Sequence, residues 1–192
     1  MDRDAQRALE DLLARGLDSV AAAPREVRRP APTTLQHWDL PARDIYALLR
    51  WGLPVAAHDP ATELPAADFQ VEADPQCPLP GPAEAAVLSG YRIAGSKRRW
   101  YAAATGGGGV FALGRPDASA DGLVNTSVAL YVETVWRWTL LSELIQPLEA
   151  AGEDETVYWC LERFAAWTVQ RDPAAKMHAD DGVSWWEGLT FS

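Results

Sequence analysis

Residues 125–146 constrain the fold of this chain more than any other segment. Val128, Tyr131, Val132, Val135, Trp138, Leu141, Leu144 and Ile145 fall on nearly every side of a helix at 3.6-residue spacing, and the narrow polar stripe left over includes Glu133 and Arg137. Such a helix cannot face water over most of its surface, so it must be packed against a sheet and further helices. Asn125 is expected to cap it, with its side-chain oxygen accepting the Val128 N–H. Pro147 and Gly152 are expected to end it.

The partner layer lies just upstream. Residues 87–94, 99–104 and 110–113 read as three strands, joined by a turn beginning at Gly95 and Ser96 and by the glycine run 106–109, which is an antiparallel meander. Residues 54–86 read as long loops with a short strand near 68–72, because Pro75, Pro78, Pro80 and Pro82 oppose regular structure between them. A helix is expected over 41–51, with Asp39 at the cap, Pro41 in the first turn, and Ile45, Leu48 and Leu49 on its apolar stripe. Gly52 fits a left-handed stop and Pro54 prevents continuation. Residues 5–22 form another amphipathic helix through Leu9, Leu12, Leu13, Leu17 and Val20, weakened at Gly16 and stopped at Pro24. The arginine- and proline-bearing segment 25–34 after it is a linker or surface arm, so this helix is either a docked addition or a mobile arm.

Downstream, a helix is expected over 154–170, with Val157, Cys160, Leu161, Phe164 and Thr168 on one face and Glu153, Asp154 and Glu155 at its positive N-terminal end. Asp172 and Pro173 read as an N-cap and first residue of a short helix, and Ser184 as the cap of a last turn carrying Trp185 and Trp186. Helices, then strands, then helices favour an α+β fold: an antiparallel sheet flanked by helices, with an extra N-terminal helix. Residues 1–34 are assigned to that helix and linker, and 35–192 to the domain.

Charge bears on partners. The net charge is −10, and residues 118–192 hold twelve acids against Arg137, Arg163, Arg171 and Lys176. That surface repels phosphate backbones and attracts a basic partner, or serves solubility alone. With 48% apolar residues, nine of all residues being Trp, the core is well supplied. Residues 1–10 are charged throughout, and no run approaches the roughly 20 apolar residues of a membrane span. The expectation is a cytoplasmic protein. Cys77 and Cys160 form neither a zinc nor a redox motif, and nothing indicates that they pair.

The candidates for chemistry are sparse. The glycines of 105–109 lead into a strand and lack the Lys and helix of a phosphate loop, so they read as a hairpin turn needing positive φ. His37, His58 and His178 have no ligand partner at helical spacing, although Asp180 and Asp181 lie near His178. Ser89 is not in a nucleophile elbow. Lys97, Arg98, Arg99, Trp100 and Tyr101 fit a nucleic-acid patch or a hairpin opening on two aromatics, and the acid excess favours the hairpin. The Glu153–Asp154–Glu155 run serves the helix dipole, or contacts a basic partner. No catalytic residue, metal site or cofactor is expected.

The ordered motifs carry a resemblance. They are WGLP at 51–54, YRIAGS at 91–96, GVFAL at 109–113, VNTSVALYVETVWRW from Val124, and RDPAA followed by SWWEGL from Arg171. Together, over roughly residues 39–190, they resemble the fourth group of the SUKH superfamily of bacterial immunity proteins. The resemblance implies a SUKH-like antiparallel sheet with flanking helices and a chain that binds and neutralises a cognate toxin domain, such as a nuclease or deaminase, without a reaction of its own. It carries over Asn125 and Ser127 as cap and structural residues and Asp172 and Pro173 as a helix start, and it supplies no fixed contact residues. An acidic, Trp-bearing contact face is expected, built from Trp136, Glu153, Asp154, Glu155, Asp180, Asp181 and Trp185. The rival readings are a regulatory or scaffold module for a self protein and a small hydrolase.

Overall fold

The computed structural model of the chain describes residues 2–55, 66–67, 74–80, 87–95, 99–114, 120–175 and 186. It opens with helix α1 (Arg3–Ala14), capped by Asp2, whose carboxylate accepts the Asp4 and Ala5 N–H groups at 2.8 and 3.2 Å. Gly16 separates α1 from the single-turn helix α2 (Leu17–Val20). Leu9, Leu12, Leu13 and Val20 are buried in the common core, so the N-terminal helix is docked. The segment after it is stitched down as well: strand β1 (Val27–Arg28) pairs antiparallel with β2 (Leu53–Pro54). Between them lie the short α3 (Pro32–Leu35) and α4 (Ala42–Arg50). Asp39 does not cap α4, whose N-cap position is Pro41, with no side-chain cap bond. The Asp39 backbone carbonyl accepts the Gly106 N–H at 2.6 Å, and its own N–H donates to the Tyr91 hydroxyl at 2.9 Å. Gly52 stops α4 at φ +61°, packed so closely on Arg28 and Arg29 that a Cβ would collide with them.

The main sheet has β3 (Ala66–Ala67), β4 (Asp74–Pro80), β5 (Val87–Gly95), β6 (Arg99–Ala104), β7 (Val110–Gly114) and β8 (Ala120–Asn125). All its pairings are antiparallel, in the order β3-β5-β6-β7-β8, with β4 also paired to β5. Two expectations are corrected. β4 contains Pro75, Pro78 and Pro80; it lies on the outer side of β5, where a missing N–H costs no inner ladder bond, and its register is irregular between Asp74 and Leu79. β8 occupies residues expected to be loop. It has little β signature, and its register on β7 is broken in two places. The strand expected near 68–72 and the helical turn expected from Ser184 lie outside the described residues, Trp186 excepted.

Helix α5 (Val128–Ala150) crosses the sheet, and α6 (Asp154–Arg171) returns beside it. The cap of α5 is Ser127, whose hydroxyl accepts the Leu130 N–H at 3.2 Å. Asn125 is not the cap, because β8 runs on through it and the helix starts two residues later than expected. Pro147 does not end α5: it sits in the last turn, its carbonyl accepting the Ala151 N–H, and Gly152 at φ +72° closes the helix. Asp172 and Pro173 start no helix. Asp172 closes α6, and Pro173 and Ala174 form a turn, with the Ala175 N–H on the Asp172 carbonyl.

One core joins the sheet to α1, α4, α5 and α6, with Ile93, Tyr101, Val110, Leu48, Trp136 and Phe164 among its buried members. Its centre is aromatic. Trp138 packs on Phe164 and Trp186 with centroids 5.3 and 6.2 Å away, and Tyr131 lies 5.9 Å from Tyr101. Each fully buried side chain of this size contributes roughly 1.5–3 kcal/mol. Arg99, Trp100 and Tyr101 belong to β6, with Tyr101 buried and Arg92 stacked over the Trp100 ring at 5.4 Å, which is the hairpin reading of that motif.

Candidate partner-binding site

The start of α5 is where sheet, α4 and α6 meet, and two buried carboxylates organise it. Asp44, fully buried, accepts the Ala129 N–H at 2.9 Å through Oδ1, while Oδ2 lies against the β6–β7 turn without a hydrogen-bond partner. Gly108, at φ +71°, has no room for a Cβ because Asp44 occupies that space. The glycine run is therefore a turn packed on α4, with no open phosphate cradle at that position. Burial pushes the Asp44 carboxyl above its ordinary pKa, against the Ala129 N–H and the Arg43 charge, which pull it down. Asp172 accepts from Asn125 Nδ2 at 3.1 Å, the Thr126 N–H at 2.8 Å and the Thr126 hydroxyl at 2.8 Å. Asn125 in turn accepts the Trp186 indole N–H at 3.1 Å, so the four groups pin the chain near its C-terminus to the end of β8.

Beside this junction lies an open groove of about 810 Å³ between the α1–α2 turn, the start of α5 and the end of α6. Arg15, Arg43, Arg137 and Arg171 line it against the acids Asp18 and Glu133, with Trp51 and Trp167 on its walls. Arg137 is only 2% exposed. It donates to the Arg15 carbonyl at 2.6 Å and to Glu133 Oε1 at 3.1 Å, and it stacks over the Trp167 ring at 4.8 Å. Glu133 is shared, its other oxygen accepting from Arg171 Nε at 3.0 Å. Burial lowers the pKa of Arg137; Glu133 opposes this, and the charges of Arg171 and Arg15 add to it. Asp18 is engaged by the Trp51 indole at 3.0 Å and by Arg50 at 3.3 Å. Tyr46, exposed on α4, packs edge-on against Trp51 at 5.5 Å. Aromatic and arginine side chains around a concave surface are the composition of an interface hot spot.

The opposite end is acidic. The Asp2 N–H donates to Thr156 Oγ1 at 3.0 Å and Glu10 pairs with Arg163 at 2.7 Å, so α1 and α6 run in the same direction with their starts together. Asp2, Asp4, Glu153, Asp154 and Glu155 are exposed there, roughly 25 Å along α6 from Arg171.

Of the expected contact residues, Glu153, Asp154 and Glu155 are thus on the surface and adjacent. Asp180, Asp181 and Trp185 lie outside the described residues, as do Cys77's side chain, His58 and His178. Trp136, expected either as a core residue or as part of the contact face, is fully buried, its indole donating to the Gly52 carbonyl at 3.1 Å, so it is a core residue and its place on the contact face is corrected. Cys160 is buried, and burial raises its thiol pKa. Among the described residues no three or more His, Cys, Asp or Glu converge at metal-holding geometry, and no helix is long and apolar enough to cross a membrane. Sequence reasoning gives Arg15, Arg43 and Trp167 no part in a contact face, and Trp51 only its place in the WGLP motif. The available signal was the Glu133–Arg137 pair at i,i+4 on the polar stripe of α5.

The SUKH-4 immunity protein family model matches residues 6–191, which takes in α1 as well as the sheet and the long helices. No curated protein and no solved structure matches the chain. The order of elements, the antiparallel sheet and a match over nearly the whole length agree: the chain belongs to the SUKH-4 immunity protein family.

Proposed function

We propose that this chain works in the cytoplasm by binding a cognate toxin domain and neutralising it, with no reaction of its own. The observation that carries the reading is the family match over residues 6–191. The charge distribution supports it. A net charge of −10, with Glu153, Asp154 and Glu155 exposed beside Asp2 and Asp4, attracts a basic toxin such as one that acts on nucleic acid, and speeds the encounter. Asp180, Asp181 and Trp185 are proposed as further contact residues. The test is co-expression with the product of the neighbouring gene. Rescued growth together with a stable co-purifying complex is the expected result. Rescue without a complex, or no rescue, contradicts the reading.

A further inference from the structure

We propose that the groove between the α1–α2 turn, the start of α5 and the end of α6 receives an acidic segment of the partner protein, with a carboxylate held among Arg15, Arg43 and Arg171. This deepens the toxin-binding reading and rests on it for the partner's identity. The groove is a cationic pocket in an acidic protein, with four guanidinium groups against two carboxylates. Both carboxylates are already engaged, Glu133 by Arg137 and Arg171, and Asp18 by Arg50 and Trp51. Arg137 is consumed by the fold. Arg15 is exposed, and its guanidinium has no acid partner among the described residues. Arg43 is 68% exposed and reaches Asp44 only at 3.8 Å, and Arg171 is 53% exposed. Together these three leave planar donors facing the groove, the geometry that a carboxylate matches in bidentate fashion.

Charge complementarity selects the ligand. A net charge of −10 repels a polyanion, and Glu133 and Asp18 on the groove wall disfavour a phosphate dianion more than a single carboxylate. Trp51 and Trp167 offer contact area to the carbons of an acidic side chain. The groove and the acidic end, roughly 25 Å apart along α6, form a dipole that fixes the orientation of a partner carrying both signs of charge.

The test uses the full chain and a capped peptide carrying one Glu between Ala and Ser residues, followed by ¹⁵N NMR of the Trp51 and Trp167 indole N–H groups. Saturable shifts are expected, with affinity weakened about tenfold or more in the Arg15→Glu/Arg43→Glu double variant and kept within about threefold in Arg15→Lys/Arg43→Lys. No saturable shift, an equal response to inorganic phosphate, or indifference to charge reversal overturns the proposal. Melting curves check that the variants are folded; if the reversed pair does not fold, Arg15→Gln/Arg43→Gln replaces it with the same expectation. The growth assay separates the two readings. Full rescue by the folded reversed variant, with wild type also rescuing, sinks the groove and leaves the immunity reading standing. Arginine-dependent peptide binding by a wild type that does not rescue does the reverse.

Discussion

Asp44 carries an acid into a place that water does not reach, and its chemistry follows from that. Its folded-state pKa is raised above 3.8 by burial, so the folded chain holds this proton more tightly than the unfolded chain does. The group's contribution is therefore most favourable below 3.8 and is lost as pH rises through the raised folded value. In Asp44→Asn that titration is gone, so the stability of wild type relative to this variant should decline as pH rises from 3.8 towards neutrality. Thermal melts across that range check the sign; a difference that is flat or grows with pH contradicts it. Gly108, against the same carboxylate, combines φ +71° with no space for a Cβ. Gly108→Ala should cost about 2 kcal/mol in urea unfolding, while Gly107→Ala, with open space at its Cβ, should cost less. A positive-φ turn at 105–109 was readable from the glycines. That Asp44 covers it was not, because the two residues lie far apart in sequence. The shift of the cap from Asn125 to Ser127 has the same origin: Asn125 is held by Asp172 and Trp186, partners no local pattern reveals.

At the scale of elements, periodicity identified what was strongly patterned. α4, α5, α6 and the strands β5, β6 and β7 stand close to where their apolar spacing puts them. β4 and β8 were missed because they flank the meander, where irregular register and prolines cost little and leave no alternation to read. α1 was readable as a helix but not as docked, since amphipathicity states that a face is buried without stating against what. Its Leu9 is fully buried among core residues. Leu9→Ala should destabilise the whole domain by about 3 kcal/mol in a single cooperative transition. A cost below about 0.5 kcal/mol would mean that the helix is not docked in solution. Arg137 is the comparable case on α5. Its pairing with Glu133 was visible at i,i+4, but the Arg15 carbonyl and Trp167 that complete its surroundings come from other elements.

At the scale of the molecule, net charge and its position do different work. The −10 total and its concentration after residue 118 were plain from composition. The convergence of Arg15, Arg43, Arg137 and Arg171 in one groove was not, because it is made by folding four segments together. For a basic toxin, the association rate should fall steeply between about 50 and about 500 mM salt as screening shortens the reach of the acidic face. A flat response counts against electrostatic steering. Neutralisation by binding makes a stronger demand, on stoichiometry. Toxin activity measured against increasing amounts of this chain should fall in proportion to added protein and vanish at a fixed molar ratio near the composition of the isolated complex, with the toxin recovered chemically intact. Complete loss of toxin activity at a small fraction of that ratio, or recovery of a covalently altered toxin, would contradict the account.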